Sequence, residues 1–244
     1  MSDVEGRPLD RFMARKVGQI DDAYLTKSNL ETTTHHHVSQ EAVSANDQST
    51  HVGEIVETST VELVAETRYL NEAPPFGQFV RVESDIPSIG LVFNTITHSV
   101  DPSRRPTAYG RSEAQLRSEQ PQIFELLRTH FHILIIGYLD GAEPMLLLPP
   151  QPAHIHSFVY ICNEKIVAQC TERDEFLRGI LRATKTPTED LLVASVRYAL
   201  AAREYDPDYI TQISKRISRL LRDDYDRLSS VIERLARLIA RKTD

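Results

Sequence analysis

Short segments in which apolar and polar residues alternate, separated by glycine and proline, dominate the chain from residue 52 to residue 97. Val61–Glu66 and Gln78–Val82 show this alternation most clearly, and Leu91–Thr97 follows as a third segment. Alternation places every second side chain on one face of a strand. Because the strands are short and the Gly/Pro turns between them are close, the pattern predicts a small β-barrel.

Helical signals and further strands follow this β-rich part. Ser112, with Gln115 three residues later, is typical of a helix capping box. Pro121 stands where a second short helix begins well. Phe131–Leu139 and Ser157–Ile161 are β-rich and predict two more strands, and Glu172–Ala183 has the spacing of an amphipathic helix. We therefore predict an α+β barrel domain over residues 51–185.

The C-terminal part, residues 186–244, is predicted to be helical. Thr186 is a candidate cap for a first helix that begins at Pro187. Apolar residues then recur at steps of three and four from Tyr209 to Lys242, which predicts one long helix. Such a stripe needs a second helix, either the chain's own Leu191–Ala202 or one from another chain. The expected structure is a helical hairpin or a long coiled-coil-like helix. The residues expected to form its oligomer face are Ile213, Ile217, Leu220, Leu228, Ile232 and Leu235.

Residues 1–50 are predicted to be a disordered or weakly helical tail. Polar residues dominate from Thr26 to Thr50, and no hydrophobic period is present there. Residues 7–23 have apolar side chains on one helical face, which fits a transient helix or a docking motif. The N-terminus lacks the apolar run of a signal peptide, and no apolar run approaches the roughly 20 residues of a membrane helix. A cytoplasmic protein without a membrane span is expected.

No motif of catalytic quality is present. The pattern GxxxxGK[ST] and the pattern GxSxG are both absent, so the chain is expected not to be an enzyme and to hold no cofactor. Cys162 and Cys170 lack metal-ligand spacing and are interpreted as buried thiols in a strand-like region. The histidines at 35–37, 130 and 132, and 154 and 156 are interpreted as polar residues rather than metal ligands, although a site formed by His154 and His156 with the cysteines is conceivable.

The charge of −7 is unevenly distributed. From Ile210 to Asp244, nine lysines and arginines stand against five acidic residues. A basic tail on an acidic body indicates a contact with nucleic acid or a membrane, or a helix that docks on its own acidic body or on an acidic partner. A second basic group lies in the loop after the third strand. Its members, candidates for binding carboxylates or phosphates, are Arg104, Arg105 and Arg111.

The barrel part resembles the HAS-barrel, the small N-terminal barrel of HerA-type DNA-translocating ATPases and of ATP synthase catalytic subunits. The resemblance rests on the order of its elements over about 130 of the 244 residues. The segments that carry it are Val52–Val56, Pro75–Val80, Gly90–Phe93, Asp101–Pro102 and Pro121–Tyr138. The ATPase core of that family does not follow, so the chain is similar to a free-standing version such as cyanobacteria encode.

The resemblance implies an assembly role without catalysis, since in the HAS-barrel family the barrel associates subunits and offers a docking surface. The leading hypothesis is an adaptor module that forms homo-oligomers or docks on a protein partner. A nucleic-acid-associated accessory protein linked to HerA-type DNA processing is the alternative, based on the basic helix and the loop arginines. An enzyme with a site in the barrel mouth is a third interpretation.

Overall fold

The computed structural model describes residues 50–101, 103 and 105–243, with side chains up to residue 241. The tail prediction for residues 1–50 therefore lies outside the described residues, apart from Thr50. Seven strands lie within these described residues. They are β1 (Gly53–Thr58), β2 (Glu62–Thr67), β3 (Phe79–Val82), β4 (Ser88–Ser99), β5 (Leu127–Asp140), β6 (Glu143–Met145) and β7 (Phe158–Ile161).

Six of these strands form a closed antiparallel barrel in the order β2-β1-β7-β3-β4-β5, and β2 pairs with β5 to complete the ring. β6 is a short addition to the edge of β5. The alternation expected from the sequence explains the closure, because each strand directs one set of side chains inwards. Packed apolar side chains, including Val80, Phe131 and Ile133, fill the interior. The prediction of an α+β fold with a small barrel is confirmed.

Seven helices accompany the barrel in the described part of the chain. They are α1 (Glu113–Glu119), α2 (Gln122–Glu125), α3 (Glu164–Cys170), α4 (Glu175–Arg182), α5 (Thr188–Ala201), α6 (Pro207–Leu220) and α7 (Tyr225–Thr243). Ser112 caps α1, and Gln115 returns the bond in a complete capping box, as predicted. Thr186 does not cap α5, which begins at Thr188 without any side-chain cap.

The helices pack on the outer wall of the barrel and on one another. Phe79, Leu91 and Ile136 on the outer wall belong to the same hydrophobic core as Leu192 and Ile217 in the helical part. α5 lies at the centre of this core, with seven buried residues around its circumference. A helix that is apolar on all sides must be covered on all sides. The helical region and the outer wall of the barrel therefore share one hydrophobic core.

The prediction of one continuous helix from Tyr209 to Lys242 was wrong. α6 ends at Leu220 and α7 begins at Tyr225, and between them Asp224 accepts a hydrogen bond at Oδ1 from the Arg227 amide at 3.2 Å. This bond is the one an N-cap residue makes, so Asp224 starts a new helix. The stripe of apolar residues runs through the break because both helices face the same core.

The strand-like interpretation around Cys170 was also wrong. Residues 164–170 form α3, whose N-cap Asn163 accepts at Oδ1 from the Ile166 amide at 2.9 Å. Cys162 and Cys170 are both buried, as expected. Burial raises the pKa of the Cys162 thiol strongly and that of Cys170 to about 12.

Candidate functional site

A groove of about 680 Å³ opens on the outer wall of the barrel, between β5, the segment 146–148 and α4. Its floor consists of Phe93, Leu134, Ile136 and Leu146. Phe93 and Ile136 are buried, and they belong to the core shared by the barrel and the helices. A concave apolar surface of this volume lies within the range of ligand-binding sites in proteins. We refer to it as the α4 groove.

Exposed apolar side chains form one lip of the α4 groove. Leu147 and Leu148 are 63% and 54% exposed, and Val61 opposite them on the barrel wall is 50% exposed. The chain leaves the short strand β6 at Met145 and soon reaches Pro149. Proline offers no backbone N–H to a strand partner, so the sheet ends here and the leucines remain uncovered. Contiguous exposed apolar residues of this kind mark interaction surfaces.

The opposite wall of the groove is α4, and Gly179 stands at its centre. A methyl group placed on Gly179 would meet only Ile136 Cγ2, at 3.9 Å, which is an ordinary van der Waals contact. Glycine is therefore not required by crowding at this point of α4. Its lack of a side chain leaves room above the apolar floor.

Three basic residues, Arg178, Arg182 and Lys185, line the rim along α4 and beyond its end. Within the part of the chain that the structure describes, neither Arg182 nor Lys185 has an ion-pair partner. Glu175 lies at the opposite end of the α4 wall. The groove is thus apolar at its floor and positively charged at the end of α4.

The start of α4 is fixed by Asp174. Its Oδ2 accepts hydrogen bonds from Arg178 Nη2 at 3.1 Å and from Arg219 Nη2 of α6 at 3.0 Å. Burial raises the pKa of Asp174, but the bonds from Arg219 and Arg178 outweigh it and lower this pKa below the ordinary value. Asp174 therefore holds the groove wall to the helical region as a carboxylate.

The Thr186 side chain also lines the groove, beyond the basic rim. Its hydroxyl oxygen is buried and has no hydrogen-bond partner within the described residues. Buried hydroxyls are normally hydrogen-bonded, so an unpartnered one beside a groove is open to a polar group of an occupant.

Two histidine–glutamate pairs join β5 to β2 on the barrel wall, and Glu62 of one pair lines the groove. His132 Nδ1 lies 2.8 Å from Glu62 Oε1, and its ring meets the edge of Phe93 at 5.7 Å between centroids. His130 Nε2 lies 3.4 Å from Glu66 Oε2. The expectation that His130 and His132 are polar residues beside an apolar run agrees with these contacts.

The predicted oligomer face is largely inside the chain's own core. Five of its members are at most 7% exposed, and Leu220 is half-buried. The five buried members are Ile213, Ile217, Leu228, Ile232 and Leu235. These side chains pack in the same core as α5 and the other helices of the chain, which cover the apolar stripe. The prediction of a contact with a second copy rested on an uncovered apolar stripe, and the stripe is covered within the chain.

The C-terminal arginines also find partners in the chain. Arg227 Nε lies 2.9 Å from Glu189 Oε1, and Arg234 pairs with Asp190, so α7 is joined to the first turn of α5. Arg219 joins α6 to Asp174. The basic tail thus docks on acidic residues of its own chain, one of the alternatives that the charge distribution indicated.

The loop arginines are described only in part. Arg104 lies outside the described residues, Arg111 pairs with Glu119 of α1, and Arg105 is exposed. His154 and His156 lie in the loop before β7 rather than in a strand, and His156 Nδ1 is 2.5 Å from Glu54 Oε1. Among the described residues, no group of three His, Cys, Asp or Glu side chains is placed to hold a metal ion.

The α4 groove itself was missed by the sequence analysis. The run Met145–Leu148 before the prolines was given no role, although four consecutive apolar residues outside a long strand are a signal of an exposed apolar surface. The pairing of this segment with α4 could not be seen from the sequence.

No protein-family model matches this sequence, and a comparison with curated proteins finds no significant match. The closed six-stranded barrel agrees with the fold that the resemblance to the HAS-barrel implies but does not identify that family. No helix in the described part of the chain is both long enough and apolar enough to cross a membrane.

Proposed function

We propose that this chain is a non-enzymatic adaptor module of HAS-barrel type. It docks on a larger assembly by binding an acidic segment of a partner protein, with apolar side chains, in the α4 groove. The single observation that carries the proposal is the juxtaposition of uncovered leucines and unpaired cations around one groove.

The apolar part of the groove supplies the reason for binding. Val61, Leu147 and Leu148 are 50–63% exposed in the isolated chain, and burying the exposed part of each would be favourable by about 1–2 kcal/mol. A partner that places leucine or phenylalanine side chains on the floor would cover Val61 on one side of the groove and the two leucines on the other. Protein interfaces have an apolar centre and a polar rim of this kind.

The charges on the rim select the partner. The chain as a whole carries −7, so an acidic partner is repelled by most of its surface. Arg182 and Lys185 are a local exception beside the apolar floor, and no carboxylate of the described chain neutralises them. An acidic segment would be attracted to this end of α4 and away from the rest of the surface, which favours one docking orientation.

The proposed docking surface differs from the one expected from the sequence. Self-association through the helical stripe would require the chain to expose its own core, since that stripe packs against α5. The groove requires no such rearrangement. Docking through an outer face of the barrel also agrees with what the resemblance to the HAS-barrel implies.

The nucleic-acid alternative is less well supported. Binding to phosphates needs free cations, and Arg219, Arg227 and Arg234 are engaged with carboxylates of the same chain. The groove rim offers two unpaired cations next to an apolar floor, an arrangement that suits a peptide better than a phosphate backbone.

A peptide-display selection tests the proposal without assuming a sequence. A random library is enriched on the intact protein and counter-selected on Gly179→Leu, which places a side chain over the groove floor. We expect enriched peptides that combine Asp or Glu with Leu or Phe and that lose at least roughly tenfold in affinity for Gly179→Leu. Absence of any enrichment over the Gly179→Leu protein would refute the proposed function.

Matched variants separate filling of the groove from damage to α4. Gly179→Ala adds a methyl that fits at 3.9 Å from Ile136 Cγ2 and should leave binding unchanged, while stabilising α4 by about 0.5–1 kcal/mol. Arg182→Glu should weaken binding of the acidic peptides. Arg222→Glu, in the turn between α6 and α7, is the control for total charge and should leave binding nearly unchanged, because Arg222 does not line the groove and its side chain is 72% exposed.

A further inference from the structure

A row of three side chains crosses the outer wall of the barrel from β2 to β4. Glu66 on β2, His130 on β5 and His98 on β4 follow one another. His130 Nε2 is 3.4 Å from Glu66 Oε2, and His130 Nδ1 is 3.2 Å from His98 Nε2. The other ring nitrogen of His98, Nδ1, lies 2.9 Å from the carbonyl oxygen of Ser99. We refer to this arrangement as the His98–His130–Glu66 row.

The two end contacts of the row have fixed hydrogen-bond directions. The Ser99 carbonyl can only accept, so His98 Nδ1 must carry a proton. In a neutral His98 the Nε2 atom is then an acceptor, and His130 Nδ1 must donate to it. The Glu66 carboxylate can also only accept, so His130 Nε2 must donate as well. Both nitrogens of His130 carry protons only in the imidazolium. If His98 is the charged ring instead, its Nε2 donates to Nδ1 of a neutral His130, and the three bonds again require one extra proton.

From this geometry we propose that the His98–His130–Glu66 row is a proton-operated link between β2, β5 and β4. With one proton more than two neutral imidazoles hold, all three contacts are hydrogen bonds. When that proton leaves, one of the two contacts made by His130 is left with an acceptor on both sides. The two acceptors repel each other, and that contact opens. The link is independent of the α4 groove and of the proposed function.

The contact that opens is the one between His130 and Glu66. It is the longest of the three, and Glu66 keeps a second partner, since Arg128 Nε lies 3.1 Å from its Oε1. Arg128 also opposes a positive charge on His130, whereas Glu66 favours it. His132 and Glu62 are the remaining titratable groups beside the row on β5 and β2. Loss of the proton therefore leaves Glu66 with Arg128 and frees His130 from β2.

The pair His132–Glu62 is a control built into the same two strands. The side chains of His130 and His132 are both 22% exposed, and each faces a glutamate of β2. Within the described residues, Nε2 of His132 makes no hydrogen bond, and the ring's other contact is the edge contact with Phe93. A neutral His132 can donate from Nδ1 to Glu62, so this bond survives the loss of a proton.

Double-mutant cycles at two pH values test the link. Glu66→Gln and His130→Gln, singly and together, form one cycle, and Glu62→Gln and His132→Gln form the control cycle. The readout is the unfolding equilibrium constant in urea at about pH 5.5 and about pH 8.5, on either side of the range in which histidine changes charge. The side chains are partly exposed, so these variants should fold.

We expect a coupling of roughly two- to fivefold in the unfolding constant between residues 66 and 130 at the lower pH, and none at the higher pH. The coupling between residues 62 and 132 should persist at both. A 66–130 coupling that is equal at the two pH values, or missing at both, would overturn the proposal.

Imidazole ¹⁵N NMR gives a second readout that does not depend on stability. At the lower pH one ring of the row, that of His130 or that of His98, should be protonated on both nitrogens. At the higher pH His130 should carry its proton on Nδ1 alone, facing His98. A neutral His130 protonated on Nε2 would show that the row opens at His98 instead, and would contradict the proposed site of opening.

Discussion

Gly77 lies directly against Ala194, at the point where the helical region meets the barrel. A methyl group on Gly77 would be 2.5 Å from Ala194 Cβ and 2.9 Å from its carbonyl carbon, and the Gly77 φ of +80° is in the left-handed region. The Gly77 amide donates to the Val92 carbonyl at 2.7 Å, so the turn cannot move away from β4 easily. This single contact fixes how closely α5 approaches the barrel.

Gly77→Ala is therefore expected to destabilise the protein by about 2–4 kcal/mol, from backbone strain together with the overlap with α5. Urea unfolding measures the loss. Gly141→Ala is the matched control, because Gly141 has a φ of +61° and nothing within 4 Å of the added methyl. It should show only the cost of the backbone conformation, about 1 kcal/mol. Equal losses in the two variants would contradict the close approach of α5.

Ile217→Asp is expected to unfold the protein rather than to dissociate an oligomer. Ile217 is fully buried in the core that joins α6 to α5 and to the barrel, and a buried carboxylate without a partner cannot be tolerated there. We expect a loss of about 4 kcal/mol or more in the free energy of unfolding, measured by circular dichroism during urea denaturation.

Leu220→Asp provides the comparison for Ile217→Asp, because Leu220 follows one turn later on α6 and is only half-buried. Its loss should be clearly smaller. A folded Ile217→Asp protein with a lower mass in light scattering would instead support the original expectation of an oligomer helix.

The barrel could be predicted from the sequence better than the helical region, for a physical reason. Alternation reports directly which face of a strand is buried, so β2 and β3 were found close to their observed positions. The helical stripe reports only that a face is buried, not whether the covering helix belongs to the same chain. That choice depends on distant contacts such as the one between Gly77 and Ala194.

Two errors had local signals that were available in the sequence. Asp224 could have been identified as the cap that starts α7, and Asn163 as the cap that starts α3. The α4 groove had a weaker signal, the run of leucines before Pro149. Its basic rim comes from a different element, so only the fold could bring Leu147 and Arg182 to one site.

Asp174 makes the stability of the protein depend on pH in the acid range. Its pKa is lowered in the folded protein, because the bonds from Arg219 and Arg178 outweigh the effect of burial. A lowered pKa stabilises the folded state above the ordinary carboxyl value of 3.8, and this contribution is lost as pH falls below that value. Asp174→Asn should remove this contribution at neutral pH and flatten the acid limb of the stability curve.

Urea midpoints at several pH values from neutral to about 3 would measure the effect of Asp174→Asn. Asp223→Asn is the control. Asp223 also pairs with an arginine, Arg222, but its side chain is 89% exposed. An exposed pair contributes little, so the pH dependence of this variant should match that of the unmodified protein.

Arg203 joins the end of α3 to the helical region. Its Nη1 donates to Thr171 Oγ1 at 2.8 Å, its Nη2 donates to the Ala168 carbonyl, and its guanidinium lies 3.9 Å from the centre of the Tyr209 ring. The carbonyls at the end of a helix need donors, and a guanidinium supplies several in fixed directions. Arg203→Ala should therefore cost about 2–3 kcal/mol.

Arg203→Lys should recover only part of this loss, since an ammonium group cannot reach the same acceptors while covering the ring. Arg197→Ala is the matched control: Arg197 also lies over a tyrosine, Tyr198, at 4.8 Å, but its guanidinium reaches no helix end in the described contacts. Its removal should change the free energy of unfolding by less than about 0.5 kcal/mol. If Arg203→Ala and Arg197→Ala had the same effect, the end of α3 would be stable without Arg203. Tyr209 and Arg216, which both donate to the Thr171 carbonyl, at 2.9 Å and 3.4 Å, would then hold it.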